Sequence, residues 1–239
     1  MPIPIYLAMT ESEMADCTAL PPKIAWMSCL FSPYGTGLTG IPQTLPLNSI
    51  LILNDRIPFL RQDQGLIVRQ LKKAMNDLHC ESLLLDFQQP DVPELRELIE
   101  KLSALDHKIC VSVCYSNHWG GPILVPPVPL GESVETYLQK WGGREIWLEI
   151  EQTALKITVT EDGSNYLPMK GNSADEYPYF CKELLCHYHQ KITDTAEFYL
   201  KRTQEDLTEL VKLAKDFGVT RGIGFYSEFP TNIDKNSTE

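Results

Sequence analysis

Short apolar runs alternate along this chain with stretches whose apolar residues recur every three or four positions, and that rhythm restricts the fold more than any other feature. The runs are "KIAWMSCLF" (23–31), "SILILND" (49–55), "ESLLLDF" (81–87), "KICVSVCY" (108–115), "GPILVPP" (121–127), "REIWLEIE" (144–151) and "RGIGFYSEF" (221–229). Continuous hydrophobicity of this length is what a strand buried on both faces requires, as in a parallel sheet covered by helices.

Between the runs the period changes to that of a helix. Ile67, Leu71, Ala74, Met75 and Leu78 fall on one face over 66–78. Leu95, Leu98, Ile99, Leu102 and Leu105 do the same over 92–105, with Pro93 in the first turn. A short helix is predicted over 132–141. Another follows Thr203, a fitting N-cap, with Leu207, Leu210, Val211, Ala214 and Phe217 as its stripe and Gly218 just past its end.

The rhythm breaks between about 152 and 195. "ALKITVTEDGSNY" (154–166) alternates with period two around Asp162-Gly163, and 182–192 and 196–203 also read as strands. An antiparallel, β-rich insertion is predicted there. Strands at 24–31, 50–55, 82–87, 109–114, 122–126, 145–150, 197–202 and 222–227 then make eight, the number in a TIM-type barrel of about this length. The expectation is one irregular (β/α)8 domain over 1–239, with an extra strand or plug from 1–22 and a frayed polar tail at about 230–239. It is irregular because 32–48 and 115–121 are too short or too rich in Gly and Pro for full helices. A doubly wound open sheet is the alternative. "GTGLTG" (35–40) spells a dinucleotide-binding pattern, but in a Pro-bounded loop with no helix starting after it, so no cofactor is expected.

The formal charge of −11, from 21 Lys+Arg against 32 Asp+Glu, argues against nucleic acid or an anionic membrane as partner. The sequence has no apolar run long enough to span a bilayer and no signal-peptide pattern at its start. Seven cysteines, several inside apolar runs, suggest reduced thiols and a cytoplasmic chain. Cys110 with Cys114, and Cys181 and Cys186 with His187 and His189, fit no standard zinc spacing, so no metal is expected. The oligomeric state is left open.

In a parallel barrel, chemistry gathers at the C-terminal strand ends. Asp86 and Gln88 lie two apart at the exit of "ESLLLDFQQP" (81–90), so they share a face, with Leu83, Leu85 and Phe87 opposite. On the 145–150 strand, Trp147, Glu149 and Glu151 share the polar face. Tyr34, Asp55, Tyr226 and Glu228 stand at other strand ends. The expected mouth is acidic and aromatic: Asp86, Glu149 and Glu228 as candidate acid/base groups, and Tyr34, Asp55, Gln88, Trp147, Glu151 and Tyr226 as ligand contacts. Carboxylates with stacking rings suit sugars. The competing reading puts Glu149 and Glu151 on a solvated edge strand. His118, in a loop beside Trp119, reads as a surface residue.

The stretch "ESLLLDFQQP" resembles the strand of family 18 glycoside hydrolases, where acids at alternate positions, D-x-D-x-E, end in the glutamate that protonates the leaving group. By that resemblance Asp86 takes the middle acid, Gln88 the acid/base glutamate and Leu84 the first aspartate. Two of the three positions depart, and a neutral amide cannot protonate a glycosidic oxygen. The resemblance therefore implies a hydrolase-like barrel without the usual acid, binding a saccharide or other small polar ligand. The alternatives are an active hydrolase using Glu149 with Asp86 or Glu228, and a scaffold whose β-rich insertion meets a protein partner.

Overall fold

A computed structural model describes residues 2–57, 63–90, 92–169, 177–193 and 195–229. The tail expected to fray lies outside the described residues. The chain divides into two compact units. One holds 4–126, 144–149 and 220–239; the other holds 1–3, 127–143 and 150–219.

The first unit is built on parallel strands β1 (Ile5–Met9), β2 (Ile24–Phe31), β4 (Ile50–Asn54), β5 (Ser82–Asp86), β6 (Lys108–Ser112), β7 (Ile123–Val125), β8 (Ile146–Ile150) and β14 (Val219–Phe225). Their order is β1-β14-β8-β7-β6-β5-β4-β2, and β1 also pairs with β2, which closes an eight-stranded parallel barrel. A two-residue strand, β3 (Leu38–Thr39), lies antiparallel on the end of β2. The "GTGLTG" stretch (35–40) carries this strand and turns back on β2. Gly40, at φ +71°, sits where a Cβ would come 1.9 Å from the Ser28 carbonyl oxygen, so the sequence there serves a tight turn.

The inward faces form one core of Tyr6, Ala8, Ala25, Ile50, Ile52, Leu84, Cys110, Leu124, Trp147 and Ile223. A register shift on β2 between Trp26 and Cys29 re-aims that strand, so that Met27 also packs against the core. Below this layer, at the N-terminal strand ends, Arg221 lies over the Trp147 ring at 4.6 Å and the Tyr6 ring at 5.6 Å and pairs with Glu81. Helix α1 (Glu11–Asp16) carries a Thr10–Glu13 capping box. Helix α2 (Gln64–Asp77), capped by Asp63, buries Ile67, Leu71, Ala74 and Met75. Helix α3 (Pro93–Leu102) buries Leu95, Leu98, Ile99 and Leu102. Both stripes follow the predicted spacing, except that α3 ends at Leu102 and leaves Leu105 beyond it, half-buried.

The second unit carries a five-stranded antiparallel sheet in the order β10-β9-β13-β12-β11. Its strands are β9 (Ala154–Thr160), β10 (Gly163–Met169), β11 (Tyr179–Cys181), β12 (Cys186–Ile192) and β13 (Ala196–Lys201). Helices α4 (Val134–Gln139) and α5 (Gln204–Ala214) belong to this unit. Arg202 is buried and donates to the carbonyl oxygens of Val128, Pro129 (3.4 Å), Leu184 (2.9 Å) and Leu185 (3.3 Å). One guanidinium thus ties three chain segments together.

Two sequence expectations change. The 197–202 strand is not in the barrel; β13 lies between β12 and β9 in the antiparallel sheet. Its place among the eight is taken by β1, from the segment expected to add an extra strand or plug. The antiparallel strands accordingly run from Ala154 to Lys201, beyond the 152–195 expected. Cys110 is in the barrel core, and Cys114 is exposed on a 3-10 turn, Val113–His118.

Candidate functional site

β5 delivers Asp86 to the barrel mouth because its inward positions alternate Ser82, Leu84, Asp86, with Leu84 in the core. Beside it on β4, Asn54 is the register partner of Asp86, and its amide donates to the Met27 carbonyl at 3.0 Å. Asp86, Asn54 and Glu149 line a cavity of about 30 Å³. Its floor and walls are Ala8, Met27, Ile52, Leu84, Leu124, Ile223, Gly224 and Phe225. That volume takes a water molecule or two, not a sugar ring. A ligand of any size would have to sit above it.

Gln88 stands beside Asp86. Its side-chain amide donates to Asp86 Oδ1, and Gln88 is otherwise exposed. The loop that carries it is braced from two neighbouring strands. Asp55, just past β4, accepts the backbone N–H groups of Gln88 (3.0 Å) and Gln89 (2.8 Å). From the β6 side, Ser112 Oγ donates to the Phe87 carbonyl at 2.5 Å and Tyr115 Oη to the Gln89 carbonyl at 2.7 Å. Phe87 points the other way and packs on Phe31 and Tyr115, each with ring centroids 5.9 Å away.

Burial lifts the Asp86 carboxyl above its ordinary value. The Gln88 hydrogen bond opposes that rise, the Asp55 charge adds to it, and Arg56 opposes it. Chemically, the pair offers a carboxyl held by an amide and an exposed amide edge, which together accept and donate hydrogen bonds to a polar ligand. The amide itself has no acidic proton to transfer.

The other expected residues scatter. Asp55 is 4% exposed and spends its carboxylate on the loop, so it braces the site rather than facing a ligand. Trp147 does share the inward face with Glu149, but it is 0% exposed, in the core layer beneath the cavity with Arg221 against its ring. A ring sealed inside a packed barrel is not available for stacking, which corrects the expectation for Trp147. Glu151 follows β8 in the second unit. Tyr34 is 87% exposed, in the loop after β2. Tyr226 and Glu228 lie on a 3-10 turn after β14, where the Tyr226 hydroxyl meets the Cys17 thiol at 3.2 Å. Of the three candidate acids, Asp86 and Glu149 line the cavity, and Glu228 is not among its walls.

Asn54 was not among the expected site residues. Its signal was present in the parity of β4, since it lies two and four positions after inward-facing Ile52 and Ile50. Among the described residues, no group of three or more His, Cys, Asp or Glu is placed to hold a metal ion. No helix among them is long and apolar enough to cross a membrane.

No protein-family model and no curated protein matches the sequence. Solved structures match over almost all of it. The chitinase-like agglutinin RobpsCRA from Robinia pseudoacacia is 10% identical with a TM-score of 0.57, covering 95% of this chain and 95% of its own. The GH18 chitinase from Cycas revoluta, in complex with (GlcNAc)3, is also 10% identical with a TM-score of 0.57, covering 93% and 94%. The Bacillus cereus spore cortex-lytic enzyme SleL is 12% identical with a TM-score of 0.56, covering 94% of this chain and 70% of its own. At such identities the likeness is one of fold, and in fold this chain is similar to the TIM barrels of family 18 chitinases and their relatives.

Proposed function

We propose that this barrel binds a saccharide or another small polar ligand at its C-terminal mouth and does not hydrolyse it. The observation that carries the reading is the Gln88 amide bonded to Asp86 at the mouth. It stands where the resemblance to family 18 hydrolases puts a proton-donating glutamate. The bracing of that loop by Asp55, Ser112 and Tyr115 supports a site whose donors and acceptors are fixed before a ligand arrives. One structural neighbour was solved with a GlcNAc trimer and another is named an agglutinin, which makes GlcNAc oligomers the first ligands to try.

Calorimetric titration with GlcNAc oligomers, alongside a hydrolysis assay on the same sugars, tests this. Binding without turnover is expected, with affinity lost in Asp86→Ala. Gln88→Glu restores a proton donor but not the acid missing at Leu84, so at most trace hydrolysis is expected. Losing a general acid forfeits roughly 10²–10⁴-fold in rate. Efficient hydrolysis by the wild type would overturn the proposal.

One observation favours a second reading. Asp86 and Glu149 line the same cavity, and burial lifts the Asp86 carboxyl in the direction a general acid needs. Turnover of any glycoside that disappears in Glu149→Gln would establish that pair as the working one.

A further inference from the structure

Strand β10 (Gly163–Met169), "GSNYLPM", is an edge of the five-stranded sheet. It pairs with β9 on one side, with Ser164 opposite Val159, Tyr166 opposite Ile157 and Pro168 opposite Leu155. Every residue from Gly163 to Pro168 is exposed, Tyr166 by 56% and Leu167 by 58%. The other edge, β11, is only three residues long. Shortness protects an edge strand from pairing with other chains; β10 lacks that protection.

Pro168 fixes which main-chain groups of β10 are open. A proline has no N–H to give to β9, so position 168 is one whose backbone faces away from the partner strand. In an antiparallel ladder, residues two apart share that orientation. The N–H and C=O of Ser164 and Tyr166, and the C=O of Pro168, therefore point outward. Among the described residues no backbone hydrogen bond beyond the β9 ladder reaches them.

We infer that β10 is a self-association edge, pairing antiparallel with β10 of a second copy about a two-fold axis at Tyr166. In that register the two Tyr166 residues exchange N–H···O=C bonds. Each Ser164 N–H meets the Pro168 carbonyl of the second copy. The missing proline N–H faces only the Ser164 carbonyl, so all four available outward donors are satisfied. Centring on Ser164 would instead set Tyr166 against the turn residue Asp162 and leave Pro168 outside the ladder. Charge favours a second copy as well: the whole chain carries −11, yet 163–169 carries no charged residue, so two copies meet there without like charges opposite one another. The two exposed Tyr166 rings become direct cross-strand neighbours.

The contact is small, so a reversible dimer is expected. Sedimentation velocity of the full chain from low to high micromolar concentration should show the mass rising from 27.1 kDa toward twice that value. Tyr166→Pro removes the central outward donor while leaving every bond to β9, and should remain monomeric with unchanged circular dichroism. Tyr166→Lys sets two like charges face to face on the axis and should remain monomeric too; it decides the matter if the proline variant does not fold. Tyr166→Thr keeps the N–H and should dimerise. A wild type that stays monomeric throughout overturns the inference. So does a dimer that Tyr166→Lys leaves intact, or one that Tyr166→Lys abolishes while a folded Tyr166→Pro retains it.

Discussion

Replacing Asp55 by alanine separates a brace from a ligand contact. The Asp55 carboxylate is buried and accepts two backbone N–H groups, those of Gln88 and Gln89. Hydrogen bonds to a charged acceptor are each worth about 1.5–3 kcal/mol, and alanine would leave both donors without a partner. The expected loss is about 3–6 kcal/mol. For a chain of this length that corresponds to a fall in Tm of roughly 6–24 °C. The same change frees the loop that sets Gln88 against Asp86, so any affinity at the mouth should fall with it. Asp55→Asn keeps one acceptor oxygen and should give an intermediate Tm. Thermal melts followed by near-ultraviolet circular dichroism suit the measurement, because Phe87, Phe31 and Tyr115 pack beneath this loop. A variant that melts within about 2 °C of the wild type would refute the bracing role. If such a variant also lost ligand binding, Asp55 would be a contact, as its place at a strand end first suggested.

Burial raises the Asp86 carboxyl, so its ionised form costs the folded state stability as pH climbs through the raised value. Asp86→Asn is therefore expected to melt higher than the wild type at pH 7, with the difference closing as the pH falls below about 4; a variant less stable at pH 7 would contradict this. Arg202→Met strands four carbonyls that the guanidinium now joins, and at roughly 1–3 kcal/mol for each stranded acceptor should cost at least about 4 kcal/mol by urea unfolding; a loss below about 1 kcal/mol would show that water replaces those bonds. None of the seven cysteines is paired. Native alkylation should reach exposed Cys114 first, while Cys29 and Cys186, whose thiols burial pushes up to about 12, and Cys80, pushed up to about 11, should react only after unfolding; peptide mass mapping reads the order.

The site was partly legible before the fold was. Side-chain alternation alone puts Asp86 and Gln88 on one face of β5 and Glu149 on the inward face of β8, and the structure has Asp86 and Glu149 around one cavity. Alternation says nothing of depth along a barrel axis. Trp147 and Glu149 share a face, yet one is sealed in the core and the other lines the cavity, because two residues of rise separate the packed layer from the mouth. Nor does it reveal that Asp55 serves a loop more than thirty residues on, a contact made only once β4 and β5 lie side by side.

The sequence by itself determined the elements: continuous apolar runs became buried parallel strands, and most of the stripes on α2, α3 and α5 became their buried faces, with Leu105, Val211 and Phe217 left half-buried. Local patterns are enough for this because a strand or a helix face is defined by residues a few positions apart. It also held, unused, the reason β13 is not a barrel strand. "AEFYLK" alternates Phe198 and Leu200 with Glu197, Tyr199 and Lys201, as a half-buried antiparallel strand does, whereas "IYLAM" in β1 is apolar without interruption. Only the tertiary structure decided which eight strands closed the barrel, which inward residues reached the mouth, and which carboxylates went to hold loops. Those outcomes depend on register and closure between segments distant in sequence, and no window of neighbouring residues encodes them.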